Sequence, residues 1–343
     1  MASAKGYNSV VAAGREVRVL TAARRALPVA LVGAALVLYP FVVESPFWQN
    51  LAVLALIYAS AAAAWNLLGG FMGQVSFGHS IFFGIGAYST GFLLIRHDVV
   101  PWLGIAVGMA LSIGAALVIG FPVFRLRSHY FSIATIALQQ AIFIVVVNSE
   151  SLGQATGLEL PIKPESLVNL RFSIRDLVGY HLVALGFFAV TTVAVWLYMQ
   201  GRTGAYARAI RDDEEVARAM GVPVRRHKLY AISLSAALTA MAGGLYAMYS
   251  LFVDPNVVLS LWLSITIVII AVLGGAGTFW GPLVGAFALL AIQEEARVRF
   301  SGGGRALDFV IAGALIVALA TFEPKGLVGI AGRIRRWVGR VAQ

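Results

Sequence analysis

The sequence predicts an all-α polytopic membrane protein with about ten transmembrane helices. Hydrophobic residues make up 59% of the 343-residue chain and charged residues only 12%, a composition far from the soluble average. Charge-poor runs of about 17 to 25 residues recur along the chain, and a helix of that length crosses a bilayer. The runs leave no room beside them for a soluble domain of ordinary size.

Apolar runs define the predicted elements in chain order. They leave a basic cytoplasmic leader at 1–26, a transmembrane domain at 27–323 and a basic cytoplasmic tail at 324–343. We expect the first span to stay uncleaved, because the residues that follow it, LYPFVVESPFW, lack a small-x-small cleavage site. The predicted spans are 27–43, 47–68, 78–96, 101–124, 130–148, 180–200, 229–252, 258–276, 281–297 and 306–323.

Basic residues orient these spans. With the amino terminus in the cytoplasm, 19 of the 26 Lys and Arg residues lie in inside loops, as the positive-inside rule requires. The net charge of +10 therefore reflects membrane topology and does not indicate binding to nucleic acid. The loop 201–228 is then cytoplasmic and the loop 149–179 external. The external loop contains glycines and prolines, so we expect it to be irregular, with one short helix.

The segment GGFMGQVSFGHS, residues 69–80, places flexible, polar sequence between two apolar runs. At membrane depth, broken backbone is tolerated only inside protein or beside a water-filled cavity. Interrupted helices also carry the substrate sites of many transporters. Gln74, Ser76 and His79 are therefore candidates to line a path for cargo. The alternative is a turn whose polar groups hold neighbouring helices together.

A looser counterpart, GGAGTFWGPLVGAFALL at 274–290, predicts two related halves, each with a glycine-broken segment. Alternatively, its glycines at four-residue spacing only allow helices to pack closely. Gln139 and Thr266 are polar residues at membrane depth, and each belongs either to the substrate path or to a hydrogen bond between helices. The spaced glycines are Gly277, Gly281 and Gly285.

The loop 201–228 is the most charged segment of the chain. We predict a short helix in it, with Asp212 as the N-cap and Glu215 completing a capping box. Gly221 is placed to end this helix in the left-handed conformation, and an apolar face would form a docking surface for a soluble partner. The alternative is an ordinary solvated connection. The other residues of the proposed docking helix are Glu214, Val216, Ala217 and Met220.

The chain lacks the sequence patterns of metal binding, nucleophilic catalysis and ATP hydrolysis. The chain has no cysteine, and its five histidines lie in separate segments without the paired spacing of zinc ligands, so we expect no metal site. No G-x-S-x-G nucleophile elbow and no GxxxxGK[ST] phosphate loop is present. We therefore expect a protein that is not an enzyme, and any ATP hydrolysis must come from another polypeptide.

Four segments carry the most specific pattern of the chain: NLLGGFMGQVSFGHSIFFGIGAY at 66–88, HYFSIATIAL at 129–138, ARAIRDDEEVARAMG at 207–221 and VLGGAGTFWGPLVGA at 272–286. Together they resemble a known family, the longer type of membrane permease subunit in bacterial ABC importers for branched-chain amino acids. The resemblance extends over about residues 50 to 330.

This resemblance implies a multi-pass subunit of the bacterial inner membrane that forms the translocation path for branched-chain or related amino acids. It implies a second homologous permease subunit, cytoplasmic ATPase subunits that use ATP, a periplasmic solute-binding protein and surrounding membrane lipid. No cofactor is expected in this chain. Residues 212–221 would be the coupling helix that fits a groove on the ATPase. Their EEVARAMG matches the family's E-A-A-x-x-x-G core, with Val216 in place of the first alanine.

Two alternatives remain at this point. Permeases of the same type are associated with urea and short amides, so the substrate class is open. An ion-coupled secondary carrier would need charged residues buried in mid-span, and the predicted spans carry almost none. The stretch NSESLGQATGLEL at 148–160 is less glycine-rich than the family form, which leaves the contact with a binding protein open.

Overall fold

The structure of the protein is a computed structural model that describes residues 31–126, 128–173, 177–299, 310, 313–314 and 326–329. The predicted leader 1–26 lies outside the described residues, as do most of the predicted tenth span and most of the tail. The chain divides into two units, Met1–Ser45 and Pro46–Gln343. In the first unit, helix α1 covers Leu31–Val42 and corresponds to the predicted first span.

The described residues of the second unit are mostly helical, which confirms the predicted fold class. Every predicted span from the second to the ninth coincides with a helix, although α9 begins at Val224, ahead of the predicted residue 229. The helices are α2 (Pro46–Asn66), α3 (His79–His97), α4 (Pro101–Val123), α5 (Ser128–Val147), α6 (Val178–Gln200), α7 (Arg202–Asp212), α8 (Glu214–Ala219), α9 (Val224–Ser250), α10 (Pro255–Val258), α11 (Leu261–Gly274) and α12 (Gly281–Arg299).

Within the described residues, five helices are long and apolar enough to cross a membrane. Two of them, α2 with its extension to Phe71 and α9, are buried along most of their length, so they form the centre of the unit. In the other three, α4, α5 and α6, most residues are at least partly exposed. A helix that is apolar all round and still exposed is suited to face lipid. The predicted total of ten spans stays a prediction.

Glycines bring the central helices into backbone contact. A Cβ atom added to Gly86 of α3 would lie 1.9 Å from the carbonyl oxygen of Ala240 in α9, and one added to Gly243 would lie 2.0 Å from that of Phe83. The same close approach joins α11 to α12, where a Cβ on Gly285 would lie 2.0 Å from a backbone oxygen. Small residues that allow such contact are typical of helix packing in membranes.

The loop between α5 and α6 is irregular, as predicted. The prediction of one short helix in this loop is wrong. The chain makes two 3₁₀ turns, Glu150–Leu152 and Gln154–Thr156, and then a strand β1, Leu158–Glu159. This strand pairs antiparallel with β2, Phe252–Val253, which follows α9. The glycines after the two turns, Gly153 and Gly157, have positive φ, so each turn stops before it can lengthen into a helix.

Candidate functional site

The first glycine-rich interruption is a π-helical turn followed by extended chain. Helix α2 continues past Asn66 into the π-helical segment Leu67–Phe71, and Gly73 then takes a φ of +74°. The backbone N–H of Gln74 donates to the carbonyl of Leu68 at 2.9 Å, and α3 begins at His79. Because only glycine adopts positive φ without steric strain, Gly73 permits this reversal at the end of α2.

Side chains of α2 and α5 satisfy the broken backbone that follows. Trp65 Nε1 donates to the carbonyl of Ser76 at 2.7 Å. The hydroxyl of Ser132 donates to the carbonyl of Val75 at 2.7 Å, and the hydroxyl of Thr135 accepts from the N–H of Phe77 at 3.1 Å. The sequence pattern alone does not indicate Ser132 and Thr135 as site residues. Such bonds make irregular backbone tolerable at membrane depth.

The two glycine-rich segments meet, and we name their contact the glycine junction, residues 66–73 and 275–279. Asn66 bridges it, because its Oδ1 accepts from the N–H of Gly277 and its Nδ2 donates to the carbonyl of Thr278, both at 2.8 Å. A Cβ on Gly70 would lie 2.4 Å from the nitrogen of Gly277. The backbones therefore touch directly. The related-halves interpretation stays a prediction, but the two segments form one contact.

Arg211, in the last turn of α7, lies over the glycine junction. A Cβ on Gly73 would lie 3.2 Å from Arg211 Cγ, and a Cβ on Gly277 would lie 2.6 Å from its Nη1. The φ of Gly277 is +78°, so this glycine serves a tight turn as well as close packing. Nothing in the sequence around Arg211 marked it as a contact, because its partners are far away along the chain.

His79 joins three helices. Its Nε2 lies 2.8 Å from the hydroxyl oxygen of Ser235 in α9, and that hydroxyl donates to the carbonyl of Ala64 in α2 at 2.6 Å. Because Ser235 gives its proton to Ala64, the network assigns the proton of His79 to Nε2. His79 is fully buried, so in this structure it acts as the helix-holding residue of the alternative interpretation. Contact with a substrate stays a prediction.

The other path candidates are also buried but belong to separate contacts. The oxygen of the Ser76 side chain accepts from the N–H of Gly78 at 3.2 Å. Gln139 donates from Nε2 to the carbonyl of Leu259, and its Oε1 has no partner among the described residues. Gln74 and Thr266 are buried on the first interruption and on α11. In the described part of the chain, no hydrogen bond joins two of these candidate side chains.

The short helix in loop 201–228 exists, but its predicted start is wrong by one residue. Asp212 ends α7, and Asp213 is the N-cap of α8, with Oδ1 accepting from the N–H groups of Glu215 (2.8 Å) and Val216 (3.0 Å). The backbone of Asp213 is extended, whereas Asp212 is still helical, so the capping box of Asp212 and Glu215 does not form. Gly221 follows α8 with a φ of +83°, as predicted.

The predicted apolar face of α8 is divided. Ala217 is only 4% exposed and lies against its own chain, whereas Val216 is 58% and Met220 is 80% exposed. The prediction that all three side chains share an outward face is therefore wrong for Ala217. Ala217 is buried because it lies on the side of α8 that packs against α7 and α9. We name the exposed residues Val216 and Met220, together with the exposed acid Glu215, the α8 surface.

Glu214 has a structural partner that the sequence pattern does not indicate. Its Oε2 accepts from Lys228 Nζ at 2.6 Å, and its Oε1 accepts from Arg218 at 3.0 Å. Lys228, in the second turn of α9, is only 1% exposed. Burial of an unpaired ammonium group costs several kcal/mol, so Glu214 provides the neutralising charge. The ion pair fastens α8 to α9.

Comparison with known proteins gives the family. A profile described as "Branched-chain amino acid transport system / permease component" matches residues 47–320, most of the chain. The chain belongs to this permease family. No solved structure matches it significantly. The predicted family and the transport role, rather than an enzymatic one, are thereby confirmed, and the permease is a multi-pass membrane protein.

Relatives named LivM and relatives named LivH both align with the permease. It is 27% identical to the high-affinity branched-chain amino acid transport system permease protein LivM of Escherichia coli (strain K12), over 85% of this chain and 72% of the relative. It is 21% identical to the probable LivM of Methanocaldococcus jannaschii, over 72% and 78% of the two chains. With LivH of Escherichia coli (strain K12), identity is 24% over 79% of the permease and 91% of the relative.

Proposed function

We propose that this permease forms part of the translocation path of an ATP-driven importer for branched-chain or related amino acids. Its family and its similarity to LivM and LivH support this function. In the proposal, a second homologous permease subunit completes the path, cytoplasmic ATPase subunits use ATP, and a periplasmic solute-binding protein delivers the substrate. The distribution of 19 of 26 basic residues supports an inner-membrane subunit with a cytoplasmic amino terminus.

One observation carries the coupling step of this proposal: a single short stretch of chain joins the α8 surface to the glycine junction. Val216 and Met220 are exposed at one end of the stretch, and Arg211 contacts the junction at the other. Between them, Asp213 is the extended residue that links α7 to α8. An ATPase that binds the α8 surface would therefore displace Arg211 against Gly73 and Gly277.

A second connection leads from α8 into the centre of the molecule. Glu214 binds the buried Lys228 of α9, and α9 touches α3 backbone to backbone at Gly86 and Gly243. Since close-packed contacts transmit displacement rather than absorb it, movement of α8 would shift α9 and α3 together. The helix that carries His79 would move with them.

The glycine junction is suited to act as the closure of the path at this end. The contact of Gly70 with Gly277 leaves no room for a Cβ atom on Gly70, and Asn66 holds the two segments with two hydrogen bonds. Each such bond contributes on the order of 1 kcal/mol net. The junction is therefore held shut by shape and by a few kcal/mol of bonding, a closure that a partner subunit is able to open.

The test uses the complete transporter reconstituted in proteoliposomes. We expect Val216→Asp with Met220→Asp to abolish ATPase binding and ATP-driven leucine uptake while the protein still inserts. Ala205→Asp, at an exposed position of α7, is the matched control and is expected to leave both unchanged. Undiminished uptake by the double variant would refute coupling through α8.

The same preparation separates the rival functions. Leucine uptake that survives ATP depletion while a proton gradient persists would indicate an ion-coupled carrier. Uptake of urea or a short amide without leucine uptake would indicate the alternative substrate class.

A further inference from the structure

We propose that the loop between α5 and α6 carries a binding site for a zwitterionic α-amino acid, held by Arg171 and Glu165. This inference rests on the proposed function and names where an arriving substrate is first recognised. The loop lies at the opposite end of α6 from α7 and α8. The 23 residues of α6 span roughly 34 Å at 1.5 Å per residue. The site is therefore a membrane thickness away from the α8 surface.

The site is a cavity of about 280 Å³. Sites for drug-sized molecules measure about 300 to 1,000 Å³, so this slightly smaller cavity is suited to a smaller ligand, of the size of one amino acid. Charged, hydroxyl-bearing and aromatic residues line it together. Its lining, among the described residues, consists of Glu165, Ser166, Arg171, Phe172, Ser173 and Gly179.

Arg171 is the residue whose charge and N–H donors indicate an anionic ligand. It is only 6% exposed, yet among the described residues its guanidinium makes one long hydrogen bond, 3.3 Å from Nη1 to the hydroxyl of Tyr180. It forms no ion pair within the described residues. A guanidinium has five N–H donors, and a buried one without an anion is unfavourable. A carboxylate that binds it in the two-pronged manner satisfies both the charge and the donors.

Glu165 gives the site its second charge. It lines the same cavity but is not ion-paired with Arg171. A simple anion would be repelled by Glu165, and a simple cation by Arg171. An α-amino acid places its carboxylate at Arg171 and its ammonium at Glu165, with the Phe172 ring as an apolar wall. A neutral molecule such as urea has neither charge, so this arrangement favours the amino acid over the amide.

The backbone around the cavity is held in place before any ligand arrives. Ser166 and Arg171 form a reciprocal pair of backbone hydrogen bonds, of 2.9 and 3.1 Å. Leu170 between them is fully buried, and Trp102 of α4 donates from Nε1 to the carbonyl of Leu167 at 2.9 Å. A site that does not have to be ordered on binding loses less entropy and binds more tightly.

Binding of radioactive leucine to the purified permease in nanodiscs tests the inference. Leucine is expected to compete, whereas leucinamide, which lacks the carboxylate, and 4-methylpentanoate, which lacks the ammonium, are not. Arg171→Gln should weaken leucine binding tenfold or more, about the effect of losing one charge-assisted interaction. Glu165→Gln should let 4-methylpentanoate compete. Glu159→Gln, at an exposed acid on β1 of the same loop, is the matched control and should bind as the wild type does.

Other outcomes would overturn the proposal. These are leucine binding to Arg171→Gln with unchanged affinity, equal competition by leucinamide, or no leucine binding by the wild type. If Arg171→Gln fails to fold, as a shifted thermal melting curve would show, the competition pattern of the wild type decides alone. Leucine uptake by the complete wild-type transporter separates the two hypotheses. Uptake with an unaffected Arg171→Gln variant removes this site and leaves the proposed function, whereas no uptake of any amino acid removes the function itself.

Discussion

At the glycine junction, the backbone of Gly70 lies so close to Gly277 that a Cβ atom on Gly70 has no space, and the cavity beside the junction measures about 10 Å³. At the other end of α6, the loop after α5 borders cavities of about 280 and 350 Å³. The larger of these is lined almost entirely by apolar groups, among them Tyr88 and Ile142. One end is closed by backbone shape, and the other offers space and chemistry.

This difference indicates how each end responds to change. The glycine junction, like the glycine contacts between α3 and α9, forms only because glycine has no side chain. Adding one methyl group at these contacts is therefore disruptive. The loop end depends on charges and on empty volume, so a substitution there alters binding before it alters folding. The proposed translocation path would then be closed near α7 and accessible near the α5–α6 loop. Four substitutions test the comparison.

The largest effect is expected from Gly243→Ala, which extends the steric argument to the contact of α3 with α9. The new methyl group would lie 2.0 Å from the carbonyl oxygen of Phe83, so one helix must move. We expect the free energy of unfolding to fall by about 3 kcal/mol or more. Gly114→Ala in α4, where nothing lies within 4 Å, is the control. Equal unfolding midpoints for the two variants in detergent would remove the steric argument.

Glu214→Gln tests whether charge also matters near the closed end. The change leaves the buried Lys228 without a neutralising carboxylate, and because Glu214 is partly exposed we expect a loss of about 2 kcal/mol. Glu215→Gln removes an exposed acid from the same helix and should change stability by less than about 0.5 kcal/mol. Denaturant unfolding of both proteins measures the difference. Similar values for both variants would mean that Lys228 has no need of Glu214.

Gly277→Ala should affect transport more than stability. A left-handed alanine costs about 1 to 2 kcal/mol, and its methyl group would lie 2.6 Å from Arg211 Nη1, the flexible end of that side chain. We expect ATP-driven leucine uptake to fall severalfold, because Arg211 is displaced from the junction. Arg211→Ala combined with Gly277→Ala relieves the contact. A double-mutant cycle on uptake rates with no interaction between the two changes would show that Arg211 is not in the coupling route.

The smallest effect on stability is expected at the open end. Ile142→Trp places a large ring into the apolar cavity lined by Ile142, so uptake should fall while the free energy of unfolding changes by about 0.5 kcal/mol or less. Ile144→Trp, on the exposed face of the same helix, should change neither quantity. A large loss of stability in Ile142→Trp would mean that this end is as tightly packed as the junction.

A local feature was predictable from the sequence where the residues that determine it lie within the same short segment. The turn at Gly221 was correctly predicted, because a glycine after a short amphipathic run ends a helix in the left-handed conformation. The N-cap was misplaced because Asp212 and Asp213 are both good caps, and only the continuation of α7 through Asp212 decides between them. The outward face of α8 was partly misassigned, because helical spacing does not say which side meets the protein.

Composition and apolar run length were sufficient for the helical membrane fold, because the cost of unsatisfied backbone in lipid leaves helices as the solution for such runs. Which partners those helices present to each other depended on tertiary structure. Asn66 and Gly277 lie far apart in sequence, as do His79 and Ser235, and each pair meets only because glycines let specific helices approach. A hydrogen bond or an ion pair needs atoms within about 3 Å, and no periodicity along one chain specifies that distance between two distant segments.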